Sequence, residues 1–136
     1  MAKKKFSLDL RVYLKDTNLF GNVYFANYFY WQGVAREEFF RQVAPDPMFF
    51  INKKITMVTI EAGMKFKKEA LLFDEVTIEV RIANPKITTF ELVFIFTNKK
   101  SKEILGEGRQ KIGFIDESNK VIPIPKELAI SSAEYI

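Results

Sequence analysis

The chain has 136 residues, a formal charge of +4 and 48% hydrophobic residues, enough for a single domain over 1–136 with its own core. It contains no histidine and no cysteine. That excludes Ser-His and Cys-His catalysis, disulfides and the usual zinc ligand sets, so any catalysis rests on Asp, Glu, Lys, Arg, Tyr, amide side chains or backbone donors.

The first element is a strand. Phe6, Leu8, Leu10, Val12 and Leu14 alternate with Ser7, Asp9, Arg11, Tyr13 and Lys15, the pattern of a half-buried strand over Phe6 to Lys15. Asp16 to Asn22 follows as a loop rich in turn formers. From about Phe25 to Val43 the period changes to three and four. Tyr28, Trp31, Gln32, Ala35, Arg36 and Phe39 then share one helix face, and Phe29 and Phe40 widen its apolar surface. A helix this greasy is expected to be wrapped by protein on most sides. Pro45 and Pro47 end it.

Strands then dominate. Met57 to Lys68 is mostly extended; Val76 to Ile82 alternates and closes at Asn84-Pro85; Thr88 to Thr97 puts four apolar residues on one face. Thr97 to Glu103 reads as a hairpin turn and Ile104 to Ile115 as the last long strand, followed by a tail with a weak final turn. The predicted architecture is α+β: an antiparallel sheet of about five strands wrapped around one long central helix. A single helix leaves sheet surface or an edge uncovered, which predicts a homodimer.

Composition also bears on partners. Fourteen phenylalanines suit a core completed by a second copy, a site for a long apolar ligand, or simply a large-residue core. The mild positive charge favours acidic partners such as phosphates or an acidic carrier protein. The aromatics fall on buried periodicities rather than along a basic stripe, which argues against nucleic acid. No apolar run reaches the roughly 18 residues of a membrane span. The basic run Lys3 to Lys5 reads as a solvated tail, and Asp9 and Arg11 interrupt any signal-like segment, so a cytoplasmic location is expected.

The loop meets the helix near Val23 to Phe25. Unpaired N–H groups at a helix start can cradle a carbonyl oxygen that turns negative during acyl transfer. Asn18 lies seven residues before Phe25, and Arg36 sits on the otherwise apolar stripe beside Gln32 and Phe40. Pattern alone also allows Arg36 a salt bridge with Glu37, Glu38 or a carboxylate elsewhere in the chain, and Asn18 a plain turn role.

Asp16-Thr17-Asn18, Gly21-Asn22-Val23-Tyr24-Phe25, Asn27-Tyr28 and Ala35-Arg36-Glu37 resemble the motif series of hotdog-fold thioesterases of the 4-hydroxybenzoyl-CoA thioesterase family. Those proteins read approximately D-x-D, G-x-V-Y/W, N-Y and A-R-x-x-F, and their strand–helix–four-strand order agrees along nearly the whole chain. Where many members carry a second, catalytic aspartate, this chain has Asn18. The run NVYFANYFYWQGVARE resembles more closely the enediyne polyketide thioesterases, a subgroup that works without a catalytic carboxylate.

That resemblance implies a thioesterase acting on a β-ketoacyl or polyenyl thioester of an acyl carrier protein, with decarboxylation able to follow, and a homodimer pairing into a homotetramer. It implies Asn18, Arg36 and the Phe25 backbone N–H as catalytic groups. Tyr28, Gln32 and Thr59 are candidate substrate contacts; no metal or cofactor is called for. An amide is no base at neutral pH, so Asn18 would hydrogen-bond the thioester carbonyl or orient water. Two rivals stand beside this reading. One is a general acyl-CoA thioesterase with Asp16 or Glu37 as base. The other is a non-catalytic acyl-binding hotdog protein.

Overall fold

The computed structural model describes residues 3–136; Met1 and Ala2, which open the N-terminal stretch read above, lie outside them. Strand β1 spans Phe6–Arg11, shorter than its alternation suggests. Val12 stays buried, but the chain leaves the ladder there and tightens into a 3-10 turn over Leu14–Asp16. Helix α1 runs Asn27–Val43 and a short α2 runs Phe49–Asn52. Then come β2 (Thr56–Phe66), β3 (Glu75–Ala83), β4 (Thr89–Asn98), β5 (Ile104–Ile115) and β6 (Val121–Ile122), and last α3 (Lys126–Ser132).

The sheet is antiparallel throughout, in the order β1-β3-β4-β5-β2, with β6 on β5. It therefore has six strands rather than about five, because two residues after the Asp116 turn pair back onto Phe114 and Ile115. The sheet curls around α1, as period-two alternation demands. Val76, Ile78, Val80, Phe94, Phe96 and Ile112 are buried on its inner face, against Tyr28, Trp31, Ala35 and Phe39 of the helix. Edge-on aromatic pairs stitch the core, such as Phe6 with Phe39 at 5.4 Å.

Three expectations change. The helix is shorter than Phe25 to Val43, since Phe25 and Ala26 form a turn before it. It is also not wrapped on most sides: Phe29 and Tyr30 are exposed on its outer face. The C-terminal tail is a true helix, because Leu128 is buried against the core and Tyr135 beyond it packs edge-on on Phe39 at 5.2 Å. Lys3 to Lys5 are exposed, as a solvated stretch should be, with Lys4 paired to Glu134.

Strand β2 positions the site. Among the described residues it pairs only with β5, so its other edge is open along eleven residues. A bulge lies between Thr59 and Glu61. It keeps Thr59 and Ala62 facing the helix on either side of the extra residue. Among the described residues no helix is long and apolar enough to cross a membrane.

Candidate active site

The loop before the helix is closed by its own hydrogen bonds. Asn18 N–H donates to Asn22 O (2.9 Å) and Gly21 N–H to Asn18 O (3.2 Å), with Gly21 at φ +82° completing the turn. The side-chain oxygen of Asn18 accepts the Phe20 N–H at 2.9 Å. This Asx turn uses the carbonyl end of the carboxamide, so the half-buried NH2 end is left free to donate.

Asp16 is spoken for. It is 2% exposed, and its carboxylate accepts from Tyr13 N–H (2.9 Å), Lys15 Nζ (2.8 Å) and Asn27 Nδ2 (3.2 Å). Burial alone would raise its pKa; the hydrogen bonds from Lys15, Tyr13 and Asn27 outweigh it and hold the carboxyl below the usual range. A carboxylate so engaged is a loop clamp.

Helix α1 starts without a side-chain cap. Tyr24 N–H is bonded to Asp16 O, but the Phe25 and Ala26 N–H groups have no acceptor among the described residues. They therefore remain available donors at the positive end of the helix dipole. Beside them opens a pocket of about 270 Å³ lined by Asn22, Val23, Phe25, Tyr28, Phe66 and Lys67. Tyr28 is 3% exposed and in edge contact with Trp31, Phe66 and Phe96, so it forms the pocket's inner wall as a core residue. Burial pushes its phenol above the ordinary value.

Arg36 is half-buried between the helix and strands β2 and β5. Its Nη1 donates to the Thr59 hydroxyl and to Gln110 Oε1 (3.0 Å). Glu37 does not pair with it, and Glu38 pairs instead with Arg41 at 2.5 Å, so no salt bridge holds the guanidinium among the described residues. Burial lowers its pKa, with the neighbouring Glu37 charge opposing, but an arginine keeps its charge at any working pH. Its Nε and Nη2 have no partner among the described residues.

Arg36 stands at one end of a cleft of about 430 Å³ whose walls include Phe40, Ala44, Phe50, Ile51 and Met57. Phe50 lies parallel to Phe114 (6.2 Å, 7°), giving the cleft a flat aromatic wall. Glu37 is the carboxylate on its rim. The arrangement sets a half-buried cation at one end of a cleft whose walls are largely apolar, with Glu37 and Arg41 also along it.

The candidates do not all meet. Thr59, Gln32 and Arg36 converge, but Gln32 is 0% exposed with both amide ends occupied, so it is enclosed rather than open to a substrate. Asn18 and Phe25 are remote from Arg36 in the same protomer. The nine-residue rise from Asn27 to Arg36 alone is about 13 Å. Gln110 was not anticipated, yet it was visible in the sequence as the polar residue at an inward position of β5, between Gly108 and Ile112.

The thioesterase-like superfamily matches residues 12–130 of the chain. The dynemicin thioesterase, solved in a study of polyene binding, is similar at 27% identity over 97% of both chains, with a TM-score of 0.87. A gentisyl-coenzyme A thioesterase is similar at 28% identity over 93% of this chain and 98% of its own, with a TM-score of 0.81. A 1,4-dihydroxy-2-naphthoyl-CoA thioesterase from Synechocystis, at 19% identity over 96% of both chains and a TM-score of 0.86, shares the fold. No curated protein matches the chain by sequence.

Proposed function

Because the chain belongs to the thioesterase-like superfamily and is a hotdog-fold thioester hydrolase, we propose that its substrate is a long β-ketoacyl or polyenyl chain carried on an acyl carrier protein, in enediyne-type polyketide assembly. The observation that carries this reading is the half-buried Arg36 guanidinium, held by neutral oxygens alone, at the head of an apolar cleft. A half-buried guanidinium with no direct ion-pair partner among the described residues has donors to spare, and a substrate oxygen is a natural partner for them. The similarity to the dynemicin thioesterase points to the same substrate class.

The working site is composite and needs two copies. Strand β2 runs antiparallel to α1: Phe66 lies by Tyr28, Gly63 by Gln32 and Thr59 by Arg36. Antiparallel pairing of two β2 edges about their middles brings the Thr59 end of one copy beside the Phe66 end of the other. Arg36 of one protomer then faces the pocket at Phe25 of its partner. The Asn18 amide and the Phe25 N–H bind the thioester carbonyl and its developing oxyanion, while Arg36 grips the β-oxygen; water attacks the carbonyl carbon, the C–S bond breaks, and the departing carrier thiolate takes up the proton the water releases. With a β-keto acid as product, Arg36 also stabilises the enolate left when the C–C bond to the carboxylate breaks and carbon dioxide departs; water then supplies the proton. Dimers of this kind pair further into tetramers, in a cytoplasmic setting.

A mixing experiment tests the composite site. Asn18→Ala and Arg36→Ala chains, each inactive alone, are co-expressed with different tags and assayed for acid release from a carrier-bound acyl thioester. Random pairing makes half the dimers mixed, each with one intact site, so about a quarter of wild-type activity should return. No recovery, with both variants folded and dimeric, overturns the two-copy site.

A further inference from the structure

We infer that Gln110 and Gln32 are positioning residues for Arg36, forming a one-way hydrogen-bond relay that fixes the direction of the guanidinium. The inference rests on the reading of Arg36 as the cation that meets the substrate.

Arg36 Nη1 donates to Gln110 Oε1 (3.0 Å), Gln110 Nε2 donates to Gln32 Oε1 (3.0 Å), and Gln32 Nε2 donates to the Gly63 carbonyl (3.1 Å). The two ends dictate the sense of the whole chain. A guanidinium can only donate and a backbone carbonyl can only accept. Each carboxamide is therefore locked in one orientation, because flipping Gln110 would set its NH2 against the cation. The second acceptor, Thr59, is a lone hydroxyl on an exposed residue, and a hydroxyl rotates freely. It can accept from Arg36 but cannot aim it. Gln110, 6% exposed and tethered at its far end to a fully buried Gln32, can.

The residue type follows from the same need. A carboxylate at this position would hold Arg36 as well, but would neutralise it. A glutamine presents only a dipole, and head-to-tail alignment polarises that dipole further. The cationic charge stays available at Nε and Nη2. Gly108 makes the relay possible: a Cβ there would fall 2.8 Å from Gln32 Cδ.

The test compares Gln110→Ala, Gln110→Glu, Arg36→Ala and the Arg36→Ala/Gln110→Ala double variant. Readouts are kcat and KM on a carrier-bound acyl thioester, Tm, and the 15N relaxation of the Arg36 Nε–H. Gln110→Ala should lower kcat by about 10²-fold, the scale of an ångström's misplacement, and release the Arg36 Nε–H into fast motion. Gln110→Glu, which preserves size and keeps the relay's first bond, should leave that N–H ordered yet still lose kcat. On the Arg36→Ala background, Gln110→Ala should cost nothing more. Independent, multiplying losses in the double variant, or an Arg36 N–H equally rigid in Gln110→Ala, would overturn the inference. A full-rate Arg36→Ala overturns instead the catalytic reading beneath it, and the NMR signal then still decides whether Gln110 orders Arg36.

Discussion

Replacing Gly108 by alanine tests the buried relay through stability alone. The new methyl falls within contact of Gln32 Nε2 and 2.8 Å from its Cδ, and no ordinary packing tolerates that. The clashing atoms are the far end of a side chain, so Gln32 can swing away; the cost is what it leaves behind. It forfeits its bonds to Gly63 O (3.1 Å) and from Gln110 (3.0 Å) in a fully buried place. Two buried groups left unpaired cost about 1–2 kcal/mol each. The entropy that alanine removes from the unfolded chain returns about 0.5 kcal/mol. The expected loss is about 2–3 kcal/mol, or roughly 5–12 °C in Tm for a chain of this size. Urea unfolding with an unchanged m-value measures it. Adding Gln32→Ala removes the clash and the unpaired amide together, so the double variant should lose less than the sum of the two single losses. A Gly108→Ala loss below about 0.5 kcal/mol would refute the reasoning.

Asp16→Asn should cost about 1–2 kcal/mol by weakening the loop clamp while sparing acid release by the molecules that remain folded. Since the folded pKa of Asp16 is depressed, its contribution is complete above the unfolded value of about 3.9 and vanishes as pH falls through the folded one. Acid unfolding of Asp16→Asn should therefore be less steep than that of the wild type. Steady-state acid release should stay level from about pH 6 to 9, because the Asn18 amide does not titrate and Arg36 keeps its charge throughout; a limb on the acid side of that range would point to a carboxylate base. Gly21→Ala meets no neighbour within 4 Å but must hold φ +82°, so it should cost about 1–2 kcal/mol in thermal unfolding and loosen the Asn18 turn.

Much of this was legible in the residues. Period-two alternation located β3 and β4 to within a residue, the hairpin turn before it bounded β5, and the shared face of Tyr28, Trp31, Ala35 and Phe39 is the buried face of α1. What was misjudged depends on tertiary context. Alternation continues to Leu14, but β1 ends at Arg11 because the buried Asp16 draws Tyr13 N–H into a turn. The tail gives a weak helical signal, and α3 forms because Leu128 finds the core. For the site, Arg36 bonds Thr59 directly, but it is joined to Gln32 only through Gln110, some seventy residues away in sequence. No local pattern states that pairing; it arises from β2–β5 register, which sets Ala62 opposite Gln110 and brings Thr59 within reach.

The central claim is that a permanent cation and fixed dipoles, without a proton acceptor, drive the hydrolysis. Single-turnover acid release from a carrier-bound β-ketoacyl thioester tests it most directly, in Arg36→Ala set against Glu37→Gln. Arg36→Ala should slow release by about 10²–10³-fold, the scale of one lost oxyanion donor, while Glu37→Gln stays near the wild-type rate. A Glu37→Gln protein that is folded but inert, beside an Arg36→Ala protein at full speed, would contradict the account.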